Sequence, residues 1–181
     1  MTTATLLRNN TSDLHKATEE IMNINAIRSG ALSLPGYARM MSRHHMVWNA
    51  VAVGVPPGIR PPYLGFVADM LTAITTDLDA LGQPYPTASS PYSPTLATPA
   101  LYGIAYVLRG STLGAKVINR MLQDCPALHH LDRFNFFATC DNLPPRHWPD
   151  FLKELDKKVD NAAGREQALE AARGVYGLYL K

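Results

Sequence analysis

The stretch Leu6–Ile21, LLRNNTSDLHKATEEI, decides how the chain reads. On a helix, Leu7, Leu14 and Ile21 recur at heptad spacing, with Thr11 and Thr18 between them on the same stripe. His15 lies beside that stripe, so its ring is expected at the edge of an apolar surface. Glu19 follows four residues later, one turn along the same face and within reach of the ring. An imidazole that gives one nitrogen to a metal needs a partner for the other, and a carboxylate at i+4 can supply it. Such a pair is also common on ordinary helix surfaces, so alone it does not specify ligation.

Working outward, 181 residues predict one domain with a sizeable core, and 46% hydrophobic against 18% charged residues excludes a disordered chain. A net charge of +2 without any Lys/Arg run gives no ground for nucleic-acid binding. The longest nearly apolar run, Met46 to Val55, is broken by Asn49 and ends at Pro56. A membrane helix needs about 20 such residues. The N-terminus carries no charged-then-apolar leader, and Cys125 and Cys140 form no CxxC pair. The expected setting is therefore the cytoplasm, with free thiols and no membrane contact.

Helical periodicity runs through the whole chain. A first helix is expected from about Thr5 to Met22, and a second to about Val53 after Ser33 as N-cap and Pro35 in the first turn. His44 and His45 lie close to the apolar face of the second, as core or boundary residues bonded to carbonyls. A third helix is expected from about Tyr63 to Leu81, stopped by Gly82. A proline-rich surface connection over 82–99 follows, with prolines at 84, 86, 91, 94 and 99. Thr98 and Pro99 open a fourth helix, Thr98 as capping hydroxyl, that is expected to continue to Cys125–Pro126. One short helix within 129–140, one carrying Trp148 to Val159 and a last one carrying Leu169 to Tyr179 complete the chain. Strand-like alternation is absent, which predicts an all-α fold of six to eight helices around one core.

The fourth helix holds an anomaly. Gly110 and Gly114 stand at i and i+4 in RGSTLGAKV, followed by Ala115. Each interior glycine costs about 1 kcal/mol relative to alanine. Two on one face make a strip of bare backbone, which serves either close helix packing or a flat ligand lying directly on the helix.

Thr11-x-x-Leu14-His15-x-x-x-Glu19, followed much later by Tyr106-Val107-Leu108-Arg109-Gly110-Ser111-Thr112-Leu113-Gly114, resembles the bacterial haem oxygenases. The likeness extends to the DLDALG end of the third helix and the Tyr-rich last helix, and implies one haem-oxygenase-like helical domain over 1–181. It implies haem, both cofactor and substrate, sandwiched between the first and fourth helices. His15 would be the iron ligand and Glu19 the group orienting its ring. Gly110, Ser111 and Gly114 would form the catalytic wall, with Gly110, Gly114 and Ala115 closest to the macrocycle. Arg8, at i−7 from His15, matches a position used for haem propionates, with a further basic residue near Lys153 or Lys157. The implied reaction consumes O2 and electrons and yields biliverdin, carbon monoxide and ferrous iron.

The residue types suit that chemistry. An imidazole pushes less electron density to iron than a thiolate does, and bare backbone brings no strong acid to the reacting side. The chain has no flavin, nicotinamide or iron–sulfur motif, so a ferredoxin or flavoprotein reductase is the expected electron donor. Two positions depart from the commoner pattern. Ser111 stands where many members carry an acid, and Ala115 where many carry a second adjacent glycine. These departures raise the alternative of a non-catalytic haem-binding or sensing protein. A thiaminase-like hydrolase on the same scaffold is disfavoured because Cys125 and Cys140 fall at helix ends.

Overall fold

Short polar side chains set where several of the long helices begin. The Thr2 hydroxyl accepts from Thr5 N (3.2 Å), Ser33 from Gly36 N (3.2 Å) and Asn161 from Gly164 N (2.9 Å). The computed structural model describes residues 1–86 and 92–181. The helices, in chain order, are α1 (Thr3–Ile21), α2 (Ile24–Arg28), α3 (Leu34–Gly54), α4 (Val67–Ala80) and α5 (Thr98–Gly110). They continue with α6 (Ala115–Gln123), α7 (Asn135–Asp141), α8 (His147–Lys158) and α9 (Ala162–Tyr179). Three 3-10 turns lie at Pro57–Ile59, Pro62–Leu64 and Pro126–Leu128. The fold is all-α: no strand occurs among the described residues.

The core forms where α5 packs on α9, α1 on α9, and α3 on α4. Contact between α5 and α9 is close enough that a methyl group on Gly103 would overlap the Ala168 carbonyl. Trp48 is fully buried and meets Phe66 and Phe136 edge-on, at ring-centroid distances of 5.5 and 5.9 Å. The α1 stripe explains its threonines. Thr11 and Thr18 sit on or near the core because their hydroxyls donate to Leu7 O and Leu14 O, both at 2.8 Å. Ile21, counted on that stripe, is instead 43% exposed, because α1 ends there and Asn23 turns the chain in a left-handed conformation (φ 58°).

Three expectations need correction. The third predicted helix begins later, at Val67, since Tyr63 belongs to the 3-10 turn that Pro62 starts. The fourth is two helices. Residues 111–114 form a turn, and Gly114 takes a left-handed conformation (φ 77°) at the start of α6, so Gly110 and Gly114 do not share a helix face. Thr98 is the first residue of α5 rather than its capping hydroxyl; Ala97 precedes it without a side-chain cap. The expected surface connection falls partly, at 87–91, outside the described residues.

A buried carboxylate orders α7. Asp77 on α4 accepts from Asn135 N (2.7 Å), Asn135 Nδ2 (2.9 Å) and Phe136 N (2.9 Å), and from the Tyr37 hydroxyl (3.1 Å). By accepting from the first N–H groups of α7, the Asp77 carboxylate caps a seven-residue helix that carries no cap of its own. No helix among the described residues is long and apolar enough to cross a membrane.

Candidate functional site

The break between α5 and α6 borders a mainly apolar cavity of about 370 Å³. That volume falls in the roughly 300–1,000 Å³ range of small-molecule sites. One wall is α1, contributing His15, Thr18 and Glu19. The opposite wall is the 107–121 segment, with Gly110, Ser111 and Gly114 at the turn and Val117, Ile118 and Met121 beyond it. Met40 and His44 of α3 join Tyr176 and Tyr179 of α9 in closing the interior, and Met22 of the α1–α2 turn with Ile27 and Arg28 of α2 completes that side.

His15 is exposed and faces this space, and among the described residues its ring makes no hydrogen bond. It stands edge-on to Tyr176, with ring centroids 6.4 Å apart and planes at 81°. Burial pushes the Tyr176 hydroxyl up to about 12, so it remains neutral. Glu19 lines the cavity as expected, yet its carboxylate faces Arg28 Nη2 at 3.8 Å rather than the His15 ring.

The opposite wall is bare backbone at two points, for different reasons. Gly114 needs its left-handed conformation, which L side chains adopt at a cost. Gly110 ends α5, and an added Cβ would meet Trp148 at an ordinary 3.7 Å. The Ser111 hydroxyl donates to Leu108 O at 2.8 Å. Beneath it, His44 Nδ1 lies 3.2 Å from the Tyr179 hydroxyl. Burial pushes His44 down to about 3 and raises the Tyr179 hydroxyl well above its ordinary value. Both are therefore neutral near pH 7, and the pair is a proton-bearing polar spot in an apolar floor.

The cavity thus gathers His15, Glu19, Gly110, Ser111 and Gly114 from the sequence-derived set. Ala115 is a correction: it is buried at the first position of α6 and does not line the cavity, because Gly114 turns the chain before it. Arg8 is exposed on α1, two turns before His15, and does not line the cavity either. Lys153 is exposed on α8 beside Asp150, at 4.0 Å. Sequence reasoning missed Arg28, and it placed His44 against a carbonyl where the structure pairs it with a tyrosine hydroxyl. His45, also expected on a carbonyl, stacks on Tyr85 at 5.5 Å beside the Pro86 carbonyl, while its Nδ1 is left without a hydrogen-bond partner. Free imidazole on one wall, bare peptide on the other and apolar sides suit a flat, mostly apolar ring that carries a metal at its centre.

Comparison with known proteins bears on this geometry. No family model matches the chain. A heme oxygenase of Xanthomonas campestris pv. campestris (strain 8004) is 30% identical over 162 residues, which span 83% of this chain and 90% of that protein. The structure of heme oxygenase from Leptospira interrogans superposes with a TM-score of 0.73 at 19% identity, over 99% of this chain and 97% of that one. The NO- and CO-bound heme oxygenase from Neisseria meningitidis gives a TM-score of 0.70 at 20% identity, over 99% and 88%.

Proposed function

The chain belongs to the haem oxygenase family, and from that premise we propose how its own residues carry the conversion of haem to biliverdin, carbon monoxide and iron. The cavity between α1 and the 110–114 turn is the substrate slot, and the observation that carries this assignment is the free imidazole of His15 facing bare backbone across an apolar space. Haem fits the residues present: a ring nitrogen with no competing partner, two glycines where a flat face would lie, and apolar walls from Met40, Val107 and Ile118. Bound there, haem would supply the iron at which O2 is activated and would itself be the molecule cleaved.

His15 would hold the iron through one ring nitrogen, and the N–H of the other nitrogen would then need an acceptor. Glu19 serves once its carboxylate turns from Arg28, a weak and half-exposed pairing at 3.8 Å. Gly110 and Gly114 keep side chains off the reacting face. Ser111 offers a hydroxyl in place of an acid, so it organises water without imposing a charge. Tyr179 and His44 place an uncharged hydroxyl–imidazole contact (3.2 Å) in the cavity floor, which offers hydrogen bonds there without imposing a charge. Met40 and Phe137 exclude bulk solvent around them.

We assign the electrons to a ferredoxin or flavoprotein reductase and the activity to the cytoplasm. The absence of a redox-cofactor motif in the sequence supports the first assignment, and the free thiols of Cys125 and Cys140 the second. The single continuous core supports reading 1–181 as one domain. Purified protein mixed with hemin, ferredoxin, its reductase and air tests the reaction. Bile-pigment absorbance with release of carbon monoxide is expected. A stoichiometric complex that survives reduction in air without either product would mean haem binding without cleavage.

A further inference from the structure

Arg109 immediately precedes the bare wall, and it is a half-buried cation with no ion-pair partner among the described residues. Its guanidinium lies over the Phe66, Tyr63 and Phe151 rings, 4.9, 5.5 and 5.7 Å from their centroids. An aliphatic side chain would fill the same box without the desolvation cost of a charge, so what distinguishes arginine here is its directed donors. Nε donates to Tyr63 O at 2.9 Å, and Nη1 lies 3.4 Å from both the carbonyl oxygen and Nδ1 of His147. One side chain thus ties the last turn of α5 to the Pro62–Leu64 turn and to the first residue of α8. Trp148, the next residue along, is the group nearest to where a Cβ on Gly110 would stand, at 3.7 Å.

We propose that Arg109 is the positioning residue of the Gly110–Gly114 turn and that His147 is its pH-dependent partner. Neutral His147 receives the guanidinium and fixes the last turn of α5; protonated His147 releases it. The inference rests on the slot proposed above, whose bare wall is that turn, and adds what holds the wall in place. Arginine only donates, so His147 Nδ1 must accept, which fixes the ring as neutral with its proton on Nε2. A proton added to Nδ1 leaves two donors and two positive charges face to face, and the contact opens. Burial first, and the Arg109 charge second, hold the His147 imidazole below its ordinary 6.5, and the start of α8 is the positive end of a helix. The pair is therefore closed at pH 7 and releases on the acid side of 6.5. Other charges on the surrounding elements act elsewhere. Arg8 of α1 acts on the Tyr106 hydroxyl, and Glu154 of α8 on Tyr63 and Tyr102, whose raised hydroxyls stay neutral in this range. Asp150 of α8 faces Arg146 at 3.3 Å and Lys153 at 4.0 Å.

Glycine-selective 15N labelling gives a readout that needs no haem. The Gly110 amide cross-peak, assigned by its loss in Gly110→Ala, is followed from about pH 5 to 7.5 in wild type, His147→Gln, Arg109→Met and Arg109→Lys. In wild type it is expected to shift with one midpoint below 6.5. The shift disappears in His147→Gln, which cannot titrate, and in Arg109→Met, which keeps the length and loses the link. Arg109→Lys restores part of it, because a compact ammonium cannot span Tyr63 and His147 as the planar fork does. A merely structural Arg109 would lower stability when replaced but leave no titration to lose. The positioning role is overturned if the wild-type peak does not titrate, or if its titration survives in His147→Gln or Arg109→Met. Absorption spectra of the hemin complexes over the same range separate this role from the slot. A Soret band that moves with the Gly110 midpoint in wild type, and not in His147→Gln, supports the role at the occupied site. A band indifferent to His147 overturns it and leaves the slot standing, whereas failure to take up hemin sinks the slot while the Gly110 titration still decides for or against the pair.

Discussion

His44 Nδ1 and the Tyr179 hydroxyl lie 3.2 Å apart, joining α3 to the last turn of α9 across the floor of the cavity. Both side chains are buried. Removing the hydroxyl with Tyr179→Phe leaves the imidazole nitrogen without a partner in a site that water does not fill freely. The expected cost is about 1–3 kcal/mol, read as a fall of roughly 3–10 °C in Tm. An unchanged Tm would show that the contact contributes nothing.

The same burial makes stability depend on pH. His44 is held at about 3 in the folded chain, below the ordinary value of 6.5. Between those values the unfolded chain binds a proton that the folded chain does not, so stability rises with pH across the window. It is lost as pH falls from about 6.5 toward 3, by a few kcal/mol. The gap in Tm between wild type and His44→Gln should therefore widen from pH 4 to pH 6.5 and then level off. A gap that stays constant with pH would contradict the assignment.

Gly114 and Gly110 should answer differently to the same substitution. Gly114→Ala forces a left-handed alanine and should cost about 1–2 kcal/mol; the destabilisation is measurable by urea unfolding. Gly110→Ala places its methyl at an ordinary distance from Trp148 and gains helix propensity, so stability should hold or rise by up to about 1 kcal/mol.

Asp77 is the buried cap of α7. Asp77→Ala strands the N–H groups of Asn135 and Phe136 and the Tyr37 hydroxyl, at an expected cost of about 3 kcal/mol or more. Burial raises the Asp77 carboxyl above its ordinary 3.8 even though four donors pull it down. The folded chain then holds the proton longer than the unfolded one, so this group's contribution to stability declines as pH rises from about 4 through the raised value. The difference in unfolding free energy between wild type and variant should shrink over that interval; growth would reverse the sign of the shift.

Local chemistry was legible in the sequence where it is settled within one turn of chain. Ser33 with Pro35 announced a helix start, Gly82 a helix stop, and His15 with Glu19 one face of α1. Gly110 and Gly114 were read as sharing one helix face, which the structure does not show, since an interior helical glycine and a left-handed one are the same letter. The two-helix break followed from Gly114, and with it the burial of Ala115. Arg28 was hidden because its position depends on the left-handed turn at Asn23, and a non-glycine residue rarely advertises such a turn. His44 and Tyr179 are 135 positions apart, and Asp77 reaches a helix 58 positions away, so neither pairing leaves a periodic trace.

The central claim is that His15 ligates haem across the cavity from the Gly110–Gly114 turn. Absorption spectra of the hemin complex, wild type beside His15→Ala, test it most directly, because His15 is exposed and its loss leaves the core intact. The account predicts a stoichiometric Soret band in wild type, its loss or marked shift in His15→Ala, and its return on adding free imidazole. An identical band in the two proteins would place the iron ligand elsewhere and contradict the account.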